Sequence, residues 1–244
     1  MTRIDAFSPQ ERESIKQEIK QEIKRDERRS KMLGCGGCLF AVILAVGIPT
    51  AYVASRLAKT GFFDVPLMSR SLYRPTVPER TVLPLVGSKP DDIYRVLGTK
   101  VKYDPQTSLA TIPVSEAELT TLVQHAVATA PANALPFPIR TIQVAVDPDV
   151  IEIYAVSPQK NRDASVRVRF RPYVKGGELR ADVGEIAIGS LVLPKKVGDF
   201  LFATFGTFVI DAATGAIANV GQLMNIGLDQ GVVKFMIVPA AAPH

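Results

Sequence analysis

The sequence predicts an α+β protein in which a single N-terminal transmembrane helix precedes a curved antiparallel sheet and one or two further helices. Three observations carry that expectation. An uncharged run, residues 32–55, follows a basic cluster. Two helix-start signatures, Ser8-Pro9-Gln10-Glu11 and Ser115-Glu116-Ala117-Glu118, place Glu three residues after a capping Ser. From residue 139 onward, apolar residues recur at every second position between turn sequences.

Residues 1–31 form a charged tail with nine Lys or Arg and seven Asp or Glu. After its cap, Ile15, Ile19 and Ile23 repeat at helical spacing. Three isoleucines are too few for a coiled-coil seam, so the tail reads as a solvated helix or a partner-binding one. Although the sequence pI is about 9.2, residues 60–244 carry eighteen basic and seventeen acidic residues. The basic excess sits beside the apolar run, where membrane topology accounts for it and nucleic-acid binding is not expected.

The run at 32–55 is long enough for the roughly 20 residues that a spanning helix needs. Lys24, Arg25, Arg28, Arg29 and Lys31 precede it, and only Arg56 and Lys59 follow closely. The positive-inside rule therefore puts the N-terminus in the cytoplasm and the bulk of the chain outside. A cleaved signal peptide, with Val53-Ala54-Ser55 as its site, is the competing reading. The long charged lead and the length of the run favour an uncleaved anchor in the plasma membrane. Cys35 and Cys38, the only cysteines, lie within the run. They read as small packing residues, and no disulfide framework is available to the outer domain.

Residues 56–94 are Pro-rich and read as a stalk, with a short helix expected near 91–97. The outer domain is expected over 95–240. A hairpin is predicted about Asp104-Pro105 and a capped helix over 116–129 whose apolar stripe is Leu119, Leu122, Val123 and Ala126. Strands are expected at 139–146, 150–156, 164–174 and 178–188, turning at Asp147-Pro148-Asp149 and Gly176-Gly177, and a closing strand at 232–238. After Pro194 a helix is predicted through about 210. Val197, Phe200, Leu201, Phe205 and Phe208 share its apolar face, and Phe202 points elsewhere. Such a segment fills a core or lines an apolar cleft. On the 164–174 strand Arg167, Arg169 and Arg171 alternate with Val166, Val168 and Phe170. That basic face is either solvated or a contact for phospholipid headgroups or an anionic envelope polymer.

The order of these parts, with Gly189-Ser190-Leu191-Val192-Leu193-Pro194 between a strand and a helix, resembles the bacterial YpmS/LmeA-type envelope proteins, relatives of the tubular lipid-binding (TULIP-like) fold. The likeness covers roughly 95–238. It implies a curved antiparallel sheet wrapped around one or two helices, in a non-catalytic, membrane-tethered domain that binds or passes the acyl chain of an envelope lipid, with no cofactor. A structural role in an envelope complex, met through the tail helix and the basic strand face, is the alternative. An enzyme is not expected: GxSxG, HExxH and Gly-rich phosphate loops are absent, and His125 and His244 are the only histidines.

Overall fold

The computed structural model describes residues 43–87, 89–131, 137–199 and 221–239, with positions 13, 18, 20–22, 24, 135, 202, 210 and 214. The chain divides into two compact units, Met1–Ala54 and Ser55–His244. In the first, residues 43–54 are helical, as are the described positions of the tail. Residues 32–42 of the expected span lie outside the described residues, as do Ile15, Ile19 and Ile23. Among the described residues no helix is long and apolar enough to cross a membrane.

The second unit is mixed α+β with antiparallel sheets. Helical residues 55–60 lead to α1 (Met68–Leu72) and α2 (Pro90–Thr99), then β1 (Lys102–Asp104), β2 (Leu109–Ser115) and α3 (Glu116–Thr129). A meander follows: β3 (Thr141–Val146), β4 (Ile151–Pro158), β5 (Asp163–Lys175), β6 (Glu178–Ile188) and the two-residue β7 (Leu191–Val192). The last described elements are β8 (Gly221–Asp229) and β9 (Val232–Pro239).

The sequence implied one sheet, but the strands form two. The four-stranded sheet has the order β1-β2-β9-β8, and the five-stranded sheet runs β3 to β7 in sequence. The meander was legible because each of its turns is local. The other sheet is closed by β9 pairing to distant β2, which leaves no short-range signature. Both sheets turn apolar faces to one core. It includes Ile112 and Val114 of β2, Val144 of β3, Phe170 of β5, and Val233, Phe235 and Ile237 of β9. Leu119, Leu122 and Val123 of α3 and Ile93 and Leu97 of α2 complete it.

Helix α3 starts where its capping box predicts. The Glu118 amide donates to Ser115 Oγ at 3.4 Å, and the Ser115 amide donates to Glu118 Oε2 at 2.9 Å. Lys100 Nζ meets the other carboxylate oxygen at 2.6 Å. Burial raises the Glu118 pKa, but Lys100 and the Ser115 donors outweigh it and hold the carboxyl below its usual range. Its folded pKa therefore lies under the unfolded value of about 4.3. The associated stability is present above that pH and is lost as pH falls through the folded value. Glu118→Gln is expected to lower stability at neutral pH and flatten the acid loss, read by urea unfolding from pH 7 to 3. Ser115→Ala should cost about 1 kcal/mol through the lost cap.

The same helix also seals a sheet edge. Glu116 accepts from the Val146 amide at 3.2 Å, Thr120 bonds both the amide and carbonyl of Val144, and Gln124 donates to the Ile142 carbonyl at 2.9 Å. Four helical residues rise about 6.0 Å and two strand residues about 6.6 Å, so side chains every fourth residue on α3 match every second residue of β3.

The Pro-rich segment expected as a stalk lies across the outer face of the five-stranded sheet instead. The Thr76 amide donates to Ser165 Oγ (2.8 Å), the Glu79 amide to Glu152 Oε1 (2.9 Å) and the Leu85 amide to Thr121 Oγ1 (2.9 Å). Gln143 Nε2 donates to the Arg80 carbonyl at 2.7 Å. Prolines keep this strap extended and limit its own backbone donors, so polar side chains of the sheet and of α3 supply the partners. Arg80 fastens it. Its guanidinium reaches Glu116 Oε2 at 2.7 Å, Asp147 Oδ1 at 2.5 Å and the Val146 carbonyl at 2.5 Å. The hydrogen bonds to Glu116 and Asp147 raise its pKa further above its already high ordinary value.

Candidate ligand-binding site

Alternation along β6 sends Leu179, Ala181 and Val183 to one face and Glu178, Arg180 and Asp182 to the other. The hairpin that carries them turns at Gly176-Gly177, both with positive φ (67° and 82°), as the sequence predicts. Opposite β6, residues 195–199 form a helical turn that begins at Pro194, whose carbonyl accepts from the Val197 and Gly198 amides at 2.9 and 3.0 Å. Pro is suited to that position because it has no amide to satisfy.

Between these elements is an open cleft of about 810 Å³. Leu179, Ala181, Val183, Phe202 and Ile210 give it an apolar lining, and Glu178, Arg180, Asp182, Lys195 and Asp199 its charge. Lys195 Nζ donates to the Val183 carbonyl (2.8 Å), Asp182 Oδ1 (3.2 Å) and Asp199 Oδ1 (3.2 Å). The hydrogen bonds to Asp182 and Asp199 raise the Lys195 ammonium above its ordinary range. Behind the cleft is a cavity of about 50 Å³ whose described lining is wholly apolar, including Leu122, Phe170, Pro172, Val233 and Phe235. Leu179 and Ile210 border both spaces.

Of the residues expected in an apolar groove, Val197 is exposed at 45 % and is not among the cleft residues. Phe200, Leu201, Phe205 and Phe208 lie outside the described residues. Phe202, expected to point elsewhere, packs against the core with its ring centroid 5.2 Å from that of Phe170. Inward-facing strand residues were expected in the lining but none was named, although the signal of β6 was present: Glu178 to Val183 alternates charged and apolar at period two.

The basic face is built as the alternation predicts, and it is the face opposite Phe170 and Pro172. Each arginine there meets a carboxylate of the protein. Arg167 Nη2 donates to Glu185 Oε1 at 2.7 Å, Arg169 pairs with Glu79 of the strap at 3.2 Å, and Arg171 lies 4.0 Å from Asp149. A headgroup on this face would have to compete with those carboxylates. Glu152 is buried under the strap at 1 % exposure. Among the described residues no group of three or more His, Cys, Asp and Glu is placed to hold a metal ion.

No protein-family model matches the chain, and no curated protein matches its sequence.

Proposed function

We propose that the chain is a membrane-tethered, extracytoplasmic domain that holds an acyl chain of an envelope lipid without catalysis. The carrying observation is the cleft of about 810 Å³ backed by the apolar cavity across Leu179 and Ile210. The cleft is within the roughly 300–1,000 Å³ range of small-molecule sites. The cavity behind it is too small for an acyl chain, so the chain would lie along the cleft and gain depth by turning Leu179 aside. The uncharged run at 32–55 with its basic lead supports the tether, and the resemblance to YpmS/LmeA-type proteins points the same way. The described charged residues about the cleft, three carboxylates and two cations, suit a headgroup that carries both signs or none better than a purely anionic one.

The test is native mass spectrometry of the full chain released from detergent. One lipid at near-stoichiometric level is expected, and Leu179→Trp, which fills the wall between cleft and cavity, should cut retention severalfold. A chain that retains no lipid and ignores fluorescent acyl probes would leave the scaffolding role as the better reading.

A further inference from the structure

We infer that the loop between helical residue 60 and α1 is a wedge for the membrane surface: Phe63 and Leu67 enter the headgroup–acyl boundary of an anionic bilayer. The inference rests on the tether proposed above and goes beyond it, because a tether alone requires nothing of this loop.

Leu67 is uneconomical by folding criteria alone. It is 92 % exposed and has φ 67° and ψ −38°. The Met68 amide donates to the Pro66 carbonyl at 2.8 Å, which closes a γ-turn of the strained, positive-φ kind on Leu67. Glycine adopts such a backbone readily, and a branched aliphatic residue does not. The leucine therefore carries backbone strain and buries almost nothing. Phe63, four residues earlier, is 55 % exposed. Its neighbour Phe62 turns inward, with its ring centroid 5.0 Å from that of Phe137.

The loop is braced in this shape. Ser69 is buried, and its hydroxyl accepts from the Val65 amide at 2.8 Å and donates to the Phe63 carbonyl at 3.2 Å. Arg162, from the β4–β5 turn, donates to the Ser69 carbonyl at 3.1 Å and to Asp64 Oδ1 at 2.6 Å, and its guanidinium lies 5.6 Å from the centre of the Tyr73 ring. Tyr73 in turn donates to the Asp163 carbonyl at 2.5 Å. These bonds hold Phe63 and Leu67 outward on a fixed frame, which lowers the ordering cost of inserting them.

Charge and chain length choose the partner. Arg162 neutralises Asp64, the one acid between residues 59 and 74, and leaves Lys59, Arg70 and Arg74 in excess there. Basic residues beside apolar ones are the pattern of an interfacial anchor on anionic lipid. Leu67 is seven residues beyond residue 60, so the chain keeps it within about 25 Å of that helical end.

The chain contains no tryptophan, so a single introduced one is a clean depth reporter. The full chain with Leu67→Trp is reconstituted in vesicles of phosphatidylglycerol and phosphatidylcholine whose acyl chains are brominated near the headgroup. Quenching severalfold above that of Tyr103→Trp, an exposed position on β1, is expected, with Phe63→Trp as a second reporter should Leu67→Trp fail to fold. Quenching no greater than the control in a folded variant overturns the wedge. So does a Trp that bromine does not quench but that is shielded from aqueous acrylamide, which assigns the loop to a protein partner. Resistance of the same vesicles to an alkaline wash reports on the tether separately, so the two proposals can fail independently.

Discussion

Gly189→Ala is expected to destabilise the second compact unit by about 3 kcal/mol, the sum of a left-handed backbone and a forced overlap. Gly189 has φ +55°, and a Cβ there would collide with the Lys59 carbonyl oxygen and approach Tyr73 Cε2 to 2.7 Å and the Thr60 carbonyl oxygen to 2.9 Å. Two of those three atoms are backbone and have no rotamer in which to retreat. The adjacent Ser190 amide donates to the same Lys59 carbonyl at 3.0 Å, so the strain would pry helical residues 55–60 from the β6–β7 turn. For a unit of this size the melting temperature should fall by about 6–12 °C. Gly198→Ala is the control: among the described residues its Cβ would meet the Ile186 side chain first, at an ordinary 3.6 Å, and little change or a slight gain is expected. A melt of Gly189→Ala within 1 °C of wild type would mean that this junction does not form. The same contacts show where the domain can be cut. Because Ala58 and Thr60 are buried, a soluble fragment has to begin at Ser55, the start of the second compact unit.

Arg80→Ala is expected to cost about 2–3 kcal/mol. The residue is half-buried, so exposed-pair values understate its contribution and fully buried ones overstate it. Its removal leaves Glu116 and Asp147, previously bridged by one guanidinium, facing each other. It also loosens the strap and the β3–β4 turn, where Gln230 reaches Asp147 Oδ1 at 3.3 Å. Arg80→Lys should recover less than half the loss, since an ammonium cannot serve Glu116, Asp147 and the Val146 carbonyl with one planar fork. Urea midpoints of the two variants decide this. Equal stability of Arg80→Lys and wild type would show that charge alone is needed there.

Legibility in the sequence followed sequence separation. The cap at Ser115, the hairpin glycines and the meander's alternation are all local patterns, and the structure places them within a residue or two of expectation. The strap was misread for a physical reason. Prolines announce extended chain, but nothing near Thr76 or Glu79 announces that their amides find Ser165 and Glu152, more than seventy residues away. Arg167, Arg169 and Arg171 were correctly placed on one polar face, while their partners came from three separate segments that no spacing rule connects. The cleft was half visible: its wall on β6 stands in the alternation of Glu178 to Val183, and the cavity behind it needs both sheets.

The strand order of the four-stranded sheet also sets a timetable. β9 lies between β2 and β8, and Ala110 waits for Ile237. Until the later strand arrives, β2 is a bare edge whose amides and carbonyls can recruit a neighbouring molecule just as well. Loop closure over that span is slow compared with a hairpin, so the interval between making β2 and docking β9 is when this chain is most open to misassembly. Conditions that lengthen that interval should reduce yield through aggregation even for variants whose finished fold is fully stable.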